Sequence, residues 1–297
     1  VLLCHCKTAT DHRPPNVLFI AIDDLRPELG CYGNNLIKSP NLDQLASEGR
    51  LFKNHFVQVP TCGASRYSML TGQRPSKKIH LSNNAIAATF SSKPEGDTPE
   101  TFAHQMKRNG YYTVSIGKIS HHPDGIVYGY EEEAKGPKEL PYSWNEIHSE
   151  VGSWGNGWKA FFAYANGKNR IDEKEQVLPY EKADVPDTGY PDGLNAKLAV
   201  RKLGELKDGG QPFLLAVGLY KPHMPWSAPA KYWDMYDREK IQISEFPDSP
   251  IGVNDLSLNS CGEFNDYQLG KEKAGRRIRL SDEYAKHLIH GYYASVS

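Results

Sequence analysis

Three apolar runs in this sequence are each followed directly by residues that can bind metal ions, anions or protons. These residues are Asp23 and Asp24, Lys118 with His121 and His122, and Lys221 with His223. Adjacent carboxylates are hard oxygen ligands, which suit Ca²⁺ or Mg²⁺ better than a soft metal. A solvated turn is the alternative for the carboxylate pair taken alone. Three sets of complementary groups after three strands predict a functional site.

The segment around Cys62 also carries possible chemistry. It reads Thr-Cys-Gly-Ala-Ser-Arg-Tyr-Ser-Met-Leu-Thr-Gly over residues 61–72, and it predicts a helix over residues 65–71 that Gly72 ends. The amino end of a helix presents free N–H groups and a positive dipole, so Cys62 would lie at an anion-binding position. Arg66 could add a bidentate contact to a tetrahedral oxyanion. The alternative for a lone cysteine is a small buried apolar side chain.

These residues must be positioned by strands that alternate with helices. Apolar runs predict strands over residues 16–22, 111–116 and 213–219. The first run is expected to be buried on both faces of a parallel sheet. Helices are predicted from Ser39 to Gly49, from Thr98 to Gly110, and over residues 194–206. This alternation predicts an α/β fold with a largely parallel sheet flanked by helices, in which ligands bind at the carboxyl ends of the strands.

Two long stretches lack any periodicity. Residues 123–190 are rich in Gly, Pro, charged and aromatic residues, and they predict a long irregular excursion on the substrate side. Residues 239–280 are also rich in loop-forming residues. Ser281 and Asp282 then predict the cap of a final helix. We expect residues 16–297 to be the N-terminal part of one catalytic domain.

Composition and charge exclude several classes of protein. The 297 residues include 35 Lys and Arg against 36 Asp and Glu, which argues against a nucleic-acid partner held by a general basic surface. Hydrophobic residues make up 39% and charged residues 24%, so the chain is not mostly disordered. No apolar run approaches the roughly 18 residues of a transmembrane segment.

The start of the chain is typical of the end of an export leader. The sequence begins with Val1 rather than Met, and residues 1–6 are apolar and contain cysteine. Residues 1–15 are therefore interpreted as the remnant of a secretory or lipoprotein leader with a short tether. We expect an exported protein: periplasmic, lipoprotein-anchored or extracellular, or lysosomal if eukaryotic. A frayed end of a cytosolic protein is the alternative.

The spacing of the five cysteines does not indicate that they bind a common metal ion or form a set of disulfides. They are Cys4, Cys6, Cys31, Cys62 and Cys261. None form CxxC pairs, and their number is odd, so neither a zinc ribbon nor a disulfide framework is indicated. Any cysteine with a function must act alone.

Several of these motifs together resemble those of a known family. Cys-x-Ala-Ser-Arg at residues 62–66, followed by Leu-Thr-Gly, resembles the active-site signature of the type I sulfatases, in the alkaline-phosphatase superfamily. The Asp23-Asp24 and Gly117-Lys118 pairs match that family too. Residues 23–33, 39–43, 141–144 and 213–225 are similar to the iduronate-2-sulfatase branch and its bacterial relatives. The resemblance implies the sulfatase fold and a sulfuric ester hydrolase that acts on a sulfated carbohydrate.

The resemblance implies a formylglycine and a calcium ion. In that family the motif cysteine is oxidised by a formylglycine-generating enzyme or an anaerobic sulfatase-maturating enzyme. Cys62 would thus be the precursor of the nucleophile, a hydrated aldehyde whose oxygen attacks the sulfur of the ester. Asp23 and Asp24, with the group at position 62, would hold one Ca²⁺, which acts as a Lewis acid.

The resemblance also implies roles for the cations and histidines. Arg66 and Lys118 would stabilise negative charge on the formylglycine and on the sulfate oxygens. His121 would take a proton from the second hydroxyl and so release sulfate, with His122 as the competing candidate for that role. His223 would contact the sulfate and protonate the leaving oxygen.

The sequence departs from the family pattern at two points. Ala64 stands where proline is commoner, which bears on the conversion of Cys62. The Asp-His-Gly triplet that supplies two more metal ligands is absent, and the only Asp-His pair, Asp11-His12, lies in the presumed tether. A further sulfate-binding lysine is also missing. We therefore expect the isolated polypeptide to bind metal weakly and to have little or no activity.

Two other functions remain open at this point. The first is a phosphomonoesterase or phosphonate hydrolase of the same superfamily. The second is a non-catalytic fragment or pseudoenzyme that binds sulfated glycans through residues 141–164, which include Trp144, Trp154 and Trp158. The resemblance points to a 2-O-sulfated uronic acid on heparin- or dermatan-like chains as substrate, and other carbohydrate sulfates stay open.

Overall fold

Short strands and helices joined by long loops make up the molecule. A computed structural model describes residues 14–174 and 176–297, so residues 1–13 of the predicted leader and tether, with Cys4, Cys6 and Asp11-His12, lie outside the described residues. The strands are β1 (Val17–Ile22), β2 (Tyr112–Gly117), β3 (Glu146–His148), β4 (Tyr180–Ala183), β5 (Phe213–Leu219) and β6 (Trp226–Pro229). The helices are α1 (Pro40–Glu48), α2 (Cys62–Thr71), α3 (Ala85–Phe90), α4 (Phe102–Arg108), α5 (Gly157–Phe161), α6 (Arg170–Glu173), α7 (Pro191–Asp208), α8 (Ala230–Trp233) and α9 (Asp282–Val296).

The central sheet has the strand order β1-β5-β2-β3, and all neighbours in it are parallel. Val17 of β1 is opposite Leu214 of β5, and Tyr112 of β2 is opposite Phe213. Parallel neighbours need crossover connections, which here contain the helices that flank the sheet. The predicted α/β fold with a largely parallel sheet is therefore confirmed. β4 and β6 pair in parallel as a separate small sheet.

Two apolar cores cover the two faces of the sheet. Leu214 and Ala216 of β5 join one core with side chains of α2, α3 and α4. Leu215 and Val217 point the other way and pack with Leu198 of α7. A strand that is buried on both faces reads as a continuous apolar run, which explains the composition of residues 213–219.

β1 does not show the two-sided burial that its apolar sequence predicts. Phe19 packs against the first core, but Leu18 and Ile20 are 48% and 50% exposed. β1 lies at the edge of the sheet, and α7 packs over β2 and β5. For the part of the chain that the structure describes, the prediction of burial on both faces is therefore wrong. An apolar run alone does not reveal which strand is at the edge.

Helices α2 and α4 begin at residues other than those predicted, and α7 begins at Pro191 rather than at residue 194. α2 begins at Cys62 rather than at residue 65, because Thr61 is the extended residue that precedes the helix. α4 begins at Phe102 rather than after Thr98, because the hydroxyl of Thr101 caps it by accepting a backbone hydrogen bond at 3.0 Å. The first of these differences matters for function, because it places Cys62 inside the first turn of α2.

The irregular stretches contain few regular elements. In the described part of residues 123–190, β3, β4, α5 and α6 are separated by turns and loops, and residues 239–280 contain 3₁₀ turns such as Gly262–Asp266. α9 follows Ser281, whose hydroxyl accepts a hydrogen bond from the N–H of Tyr284 at 3.3 Å. None of the described helices is long and apolar enough to cross a membrane.

Candidate active site

The carboxyl ends of β1, β2 and β5 meet at one edge of the sheet, where Asp23, Lys118 and His223 follow the three strands. Glycine permits the close approach of β2 and β5. A Cβ on Gly117 would lie 2.3 Å from the carbonyl oxygen of Gly218, and a Cβ on Gly218 would lie 2.0 Å from that of Lys118. The parallel register and these two glycines therefore bring the predicted site residues together.

Asp23 lies at the centre of the site, and its side chain is buried. The Lys118 ammonium forms an ion pair with Oδ2, and Nη2 of Arg66 lies 3.6 Å from the same oxygen. The Cys62 Sγ lies 3.3 Å from Oδ1. Burial alone would raise the pKa of Asp23, but the charges of Lys118 and Arg66 outweigh it and lower that pKa well below its usual range. Asp23 is therefore ionised at neutral pH.

Cys62 lies at the amino end of α2, and its backbone position depends on the next residue. The Gly63 N–H donates to Asn83 Oδ1 at 3.0 Å, and a Cβ on Gly63 would lie 2.1 Å from the carbonyl oxygen of Asn83. Burial raises the pKa of the Cys62 thiol to about 12, although Lys118 opposes this effect. An unmodified Cys62 is thus a neutral thiol at neutral pH, and a neutral thiol is a poor nucleophile.

Arg66 connects α2 to the residues that follow β2. Its buried guanidinium donates from Nη1 to the carbonyl oxygens of Lys118 at 2.5 Å and Ile119 at 3.0 Å. With Nη1 held in this way, Nη2 faces Asp23. These contacts fix the guanidinium beside both Cys62 and Asp23, where it can meet an anion.

Asp24 adds a second carboxylate beside Asp23. One ligand atom from each of Asp23, Asp24 and Cys62 lies within 4.8 Å of the others. Burial, followed by repulsion from Asp23 and against an opposing effect of His223, raises the pKa of Asp24. Paired carboxylates of this kind are typical ligands of a hard divalent cation.

The charges around this cluster also fit a divalent cation. Asp23 and Asp24 are acidic and Arg66 and Lys118 are basic, so the formal charges of these four side chains sum to zero. An anionic ligand would meet no net attraction from them. A bound divalent cation would leave an excess of positive charge next to the anion-binding end of α2.

The two adjacent histidines after β2 have different environments. Nδ1 of His122 lies 3.1 Å from Oε1 of the buried Glu139, an ion-pair contact rather than a well-aligned hydrogen bond, and the His122 N–H donates to Oε2 at 2.8 Å. Nδ1 of His121 is buried and has no hydrogen-bond partner among the described residues. Burial, followed by the charge of Lys118, lowers the pKa of His121 to about 3. His121 is therefore a neutral imidazole at neutral pH.

His223 faces the site from the loop after β5. Its Nδ1 lies 2.6 Å from the carbonyl oxygen of Met224. Because a carbonyl can only accept a hydrogen bond, Nδ1 carries the hydrogen, and Nε2 is the atom that can gain or lose a proton. Nε2 lies 3.8 Å from Asp24 Oδ2 and 3.6 Å from Oε2 of Glu263.

Lys221 supports the loop that carries His223. Its Nζ donates to the carbonyl oxygens of His223 at 3.1 Å and Pro225 at 2.6 Å. Burial lowers the pKa of Lys221 to about 7, against the attraction of Asp192. The sequence groups Lys221 with His223, and the structure shows that the lysine binds this loop rather than the carboxylate cluster.

An aromatic wall borders the site; it consists of Trp158, Phe161, Phe162 and Tyr130. The sequence named Trp158 as a candidate sugar platform, but it did not place any of the four rings beside the carboxylates. The Lys118 Nζ lies 3.7 Å from the centre of the Phe161 ring, and the His223 ring lies 4.5 Å from it. The rings of both histidines after β2 contact Trp158, at 5.4 and 5.5 Å between centroids. The aromatic residues at 158–162 are visible in the sequence, but they lie in an irregular stretch. Residue spacing in such a stretch does not predict how close these side chains lie to the ends of the strands.

The three tryptophans considered as sugar platforms are buried instead. Trp144, Trp154 and Trp158 are 5%, 5% and 2% exposed, and they pack in apolar cores. Their indole faces are therefore closed to a ligand, and glycan binding through these three rings is excluded.

Glu263 and Arg170 are two further residues that the sequence did not indicate. Glu263 lies between His223 and Arg170, because its Oε1 is 2.9 Å from Nη1 of Arg170. The Arg170 guanidinium also stacks on Phe162, with Cζ 3.6 Å from the ring centre. The two residues are 93 positions apart in irregular stretches, so no pattern in the sequence connects them.

Comparison with solved structures defines the class of protein by its fold. The chain is similar to a phosphonate monoester hydrolase of Agrobacterium radiobacter, with a TM-score of 0.62 and 19% identity, over 95% of this chain and 56% of that one. A phosphonate monoester hydrolase from Silicibacter pomeroyi gives a TM-score of 0.61 and 21% identity, with the same coverage of 95% and 56%. At such identities the similarity shows the fold alone.

Sequence comparison then identifies the family. The family model described as Sulfatase matches residues 15–296, so the chain belongs to the sulfatase family. It is 35% identical to the iduronate 2-sulfatase of Homo sapiens over 250 residues, which cover 82% of this chain and 42% of that protein. The iduronate 2-sulfatase of Mus musculus is 32% identical over 293 residues, with 95% and 49% coverage. The resemblance to type I sulfatases is confirmed, and the chain spans about half the length of these curated relatives.

Proposed function

We propose that the protein is a sulfuric ester hydrolase that removes sulfate from a carbohydrate, with a 2-O-sulfated uronic acid as the substrate that the names of the two iduronate 2-sulfatases indicate. The observation that carries this proposal is the arrangement around Asp23. Cys62, Arg66 and Lys118 all lie against this one carboxylate, at the helix end where an anion binds best. Membership of the sulfatase family supports the same assignment.

Asp23 and Asp24, with the group at position 62, would hold one Ca²⁺. The donor set is hard, and the balanced charges of the surrounding residues leave room for a divalent cation. When bound, the ion supplies Lewis acidity to the sulfate oxygens and lowers the pKa of the attacking group.

Cys62 is the proposed precursor of formylglycine, whose hydrate supplies the nucleophilic oxygen. The buried thiol itself, with its pKa raised to about 12, is unsuited to that task at neutral pH. The position nevertheless suits a nucleophile, because the side chain starts in the first turn of α2 and lies beside Asp23.

The other site residues would hold charge and move protons. Arg66 and Lys118 are cations fixed by their contacts with Asp23, and they would stabilise the negative charge of the sulfate. His223 would deliver a proton from Nε2 to the leaving oxygen, because Met224 holds the other ring nitrogen. His121, which is neutral at physiological pH, would accept the proton that is released when sulfate departs.

The proposal is tested by peptide mass spectrometry of the full gene product, co-expressed with a formylglycine-generating enzyme. The peptide that contains Cys62 should show conversion of the thiol to an aldehyde. The peptides that contain Cys31 and Cys261 should remain thiols and serve as internal controls. A Cys62 peptide that stays unmodified under these conditions would sink the formylglycine mechanism.

A side-by-side assay tests the reaction class. The matured gene product should hydrolyse a 2-O-sulfated disaccharide faster than a phosphate or phosphonate monoester at equal concentration. Faster turnover of the phosphorus ester would assign the protein to the phosphomonoesterase or phosphonate hydrolase class, whose fold it shares.

A further inference from the structure

Tyr130 is the exposed end of the aromatic wall. It is 46% exposed, whereas Trp158, Phe161 and Phe162 are each 2% exposed. Its ring lies edge-on to Trp158 at 4.6 Å and to Phe162 at 5.7 Å between centroids. Two buried aromatic neighbours thus hold the Tyr130 ring in place and leave part of its surface open to solvent.

The aromatic wall runs without a break from the charged centre of the site to Tyr130. Phe161 contacts both Lys118 and His223, and it lies 4.8 Å from Phe162, which in turn contacts Tyr130. The open ring is therefore a continuation of the site rather than an isolated surface side chain.

Charged groups of the site also act on the Tyr130 phenol. Burial, followed by the negative charge of Glu263, raises the pKa of Tyr130, and the positive charge of Arg170 opposes this effect. Glu263 itself has a partly exposed side chain, at 37%, and its carboxylate lies next to His223. A hydrogen-bond acceptor is thus present near the open ring.

A fixed aromatic ring beside a carboxylate suits a sugar. The apolar C–H face of a pyranose can lie on an aromatic ring, and the hydroxyl groups at its rim can donate to a carboxylate. Phe161 and Phe162 connect Tyr130 to Lys118, one of the cations proposed to bind sulfate. In a sulfate ester the sugar is attached directly to the reacting group, so a sugar ring lies on the same side of the site as the sulfate.

We propose that Tyr130 is the platform on which the sugar ring of the sulfate ester stacks, with Glu263 accepting hydrogen bonds from the hydroxyl groups of that ring. The proposal rests on the proposed function and adds to it the group that would recognise the carbohydrate. Tyr130 lies outside residues 141–164, where the sequence placed its candidate platforms.

Binding measurements on the full gene product test this assignment. The background is Cys62→Ser, expressed without a maturation enzyme and with Ca²⁺ present, which keeps an oxygen donor at the proposed metal ligand but does not form the formylglycine needed for turnover. Titration calorimetry gives the Kd of inorganic sulfate and of a 2-O-sulfated heparin disaccharide. Tyr130→Ala should weaken disaccharide binding about tenfold, or ~1.4 kcal/mol, and should leave sulfate binding unchanged. Tyr130→Phe should retain disaccharide binding, because it keeps the ring.

Tyr111→Ala is the matched control. This tyrosine is partly exposed and directly precedes β2, at the opposite end of the strand from the site. The control should change neither Kd. If Tyr130→Ala leaves disaccharide binding unchanged, or weakens both ligands equally, the platform is refuted while the proposed function stands. If neither ligand binds to the parent protein, the proposed function fails and the platform fails with it.

Discussion

At the scale of single residues, Asp23 is paired with the same two cations that we propose to bind sulfate. A buried carboxylate without partners costs several kcal/mol, and here Lys118 and Arg66 supply the compensating charges. A residue that compensates Asp23 in the free protein is thereby held in place for a second anion. Lys118 is also enclosed by the ring of Phe161, which restricts its movement further.

We expect Lys118→Ala to lower the free energy of unfolding by about 3 kcal/mol, because it leaves Asp23 buried with one cation fewer. Urea unfolding followed by circular dichroism measures the difference. Lys182→Ala is the matched control, since Lys182 pairs with Asp234 on the surface and the two side chains are 48% and 64% exposed. That loss should be no more than about 1 kcal/mol, and equal losses for the two variants would contradict the role of Lys118.

We expect His122 to be important for stability and His121 for catalysis. His122→Ala removes the imidazole that faces Oε1 of the buried Glu139 and keeps only the backbone N–H that donates to Oε2. We expect a loss of about 2 kcal/mol in unfolding free energy. His121→Ala removes no such contact and should cost far less stability, but it should abolish multiple turnover by the matured gene product. Urea unfolding and a sulfate-release assay on both variants decide between them. Full turnover by His121→Ala would reverse the assignment.

At the scale of elements, α2 is the piece whose position decides where the nucleophile lies. Gly63 sets that position, because its Cα lies directly against the backbone of residue 83. The contact joins the first turn of α2 to the loop before α3, and the following residues reach the end of β2 through Arg66. The helix is thus held at both its amino end and its inner face.

Gly63→Ala should displace the first turn of α2 and destabilise the protein by about 2 kcal/mol or more, since a Cβ cannot lie 2.1 Å from the carbonyl oxygen of Asn83. Gly204→Ala is the control in α7, where a Cβ meets no atom within 4 Å. That change should stabilise the helix by up to about 1 kcal/mol. Thermal unfolding of both variants measures the effects, and an unchanged Tm for Gly63→Ala would refute the close contact.

The contacts of Glu146, which lies in β3 beside β2, should make the stability of the fold depend on pH. Glu146 accepts hydrogen bonds from Tyr112 at 2.6 Å and Lys202 at 2.9 Å. The bond from Tyr112 is the main cause that lowers the pKa of Glu146 from 4.5 to about 2. A carboxyl whose pKa is lower in the folded state than in the unfolded state stabilises the fold at pH values above the unfolded-state pKa. This contribution is lost as the pH falls from about 4.5 towards 2.

We therefore expect Glu146→Gln to be about 1 kcal/mol less stable than the parent at pH 7, with a difference that shrinks between pH 5 and 3. Urea unfolding at a series of pH values tests this. A difference that stays constant over the series would show that ionisation of Glu146 does not contribute.

The sequence predicted the central elements better than their surroundings. The strand at residues 213–219 and the residues after each strand follow from apolar runs and from the rule that parallel strands share a carboxyl edge. The exposure of Leu18 and Ile20 could not be predicted, because it depends on which strand α7 covers. Phe161 and Glu263 could not be predicted either, since they reach the site from irregular stretches whose path is determined by tertiary contacts.

At the scale of the whole molecule, ion binding and folding should be linked. If Asp23 and Asp24 hold Ca²⁺, the ion stabilises the folded state by about 2.7 kcal/mol at a concentration of 100 times the Kd. We expect the Tm of the full gene product to rise by roughly 2–4 °C under those conditions. Differential scanning calorimetry with calcium and with a chelator measures the change.

Asp24→Asn should remove most of this calcium effect, because it replaces a carboxylate of the proposed site. Asp234→Asn is the control, since Asp234 is exposed and pairs with Lys182 on the surface. A calcium-dependent rise in Tm that survives in Asp24→Asn would place the ion elsewhere.

The strand order of the sheet has a consequence for how the chain is made. β5 lies between β1 and β2 but follows both of them in sequence, and Val17 pairs opposite Leu214. At a synthesis rate of about 5–20 residues per second, these two residues leave the ribosome roughly 10–40 s apart. During that time β1 has no partner strand in the sheet, and β2 has only β3, which is 3 residues long. A nascent chain therefore exposes two apolar strands until β5 emerges, and chaperones that bind such strands should protect it during this interval.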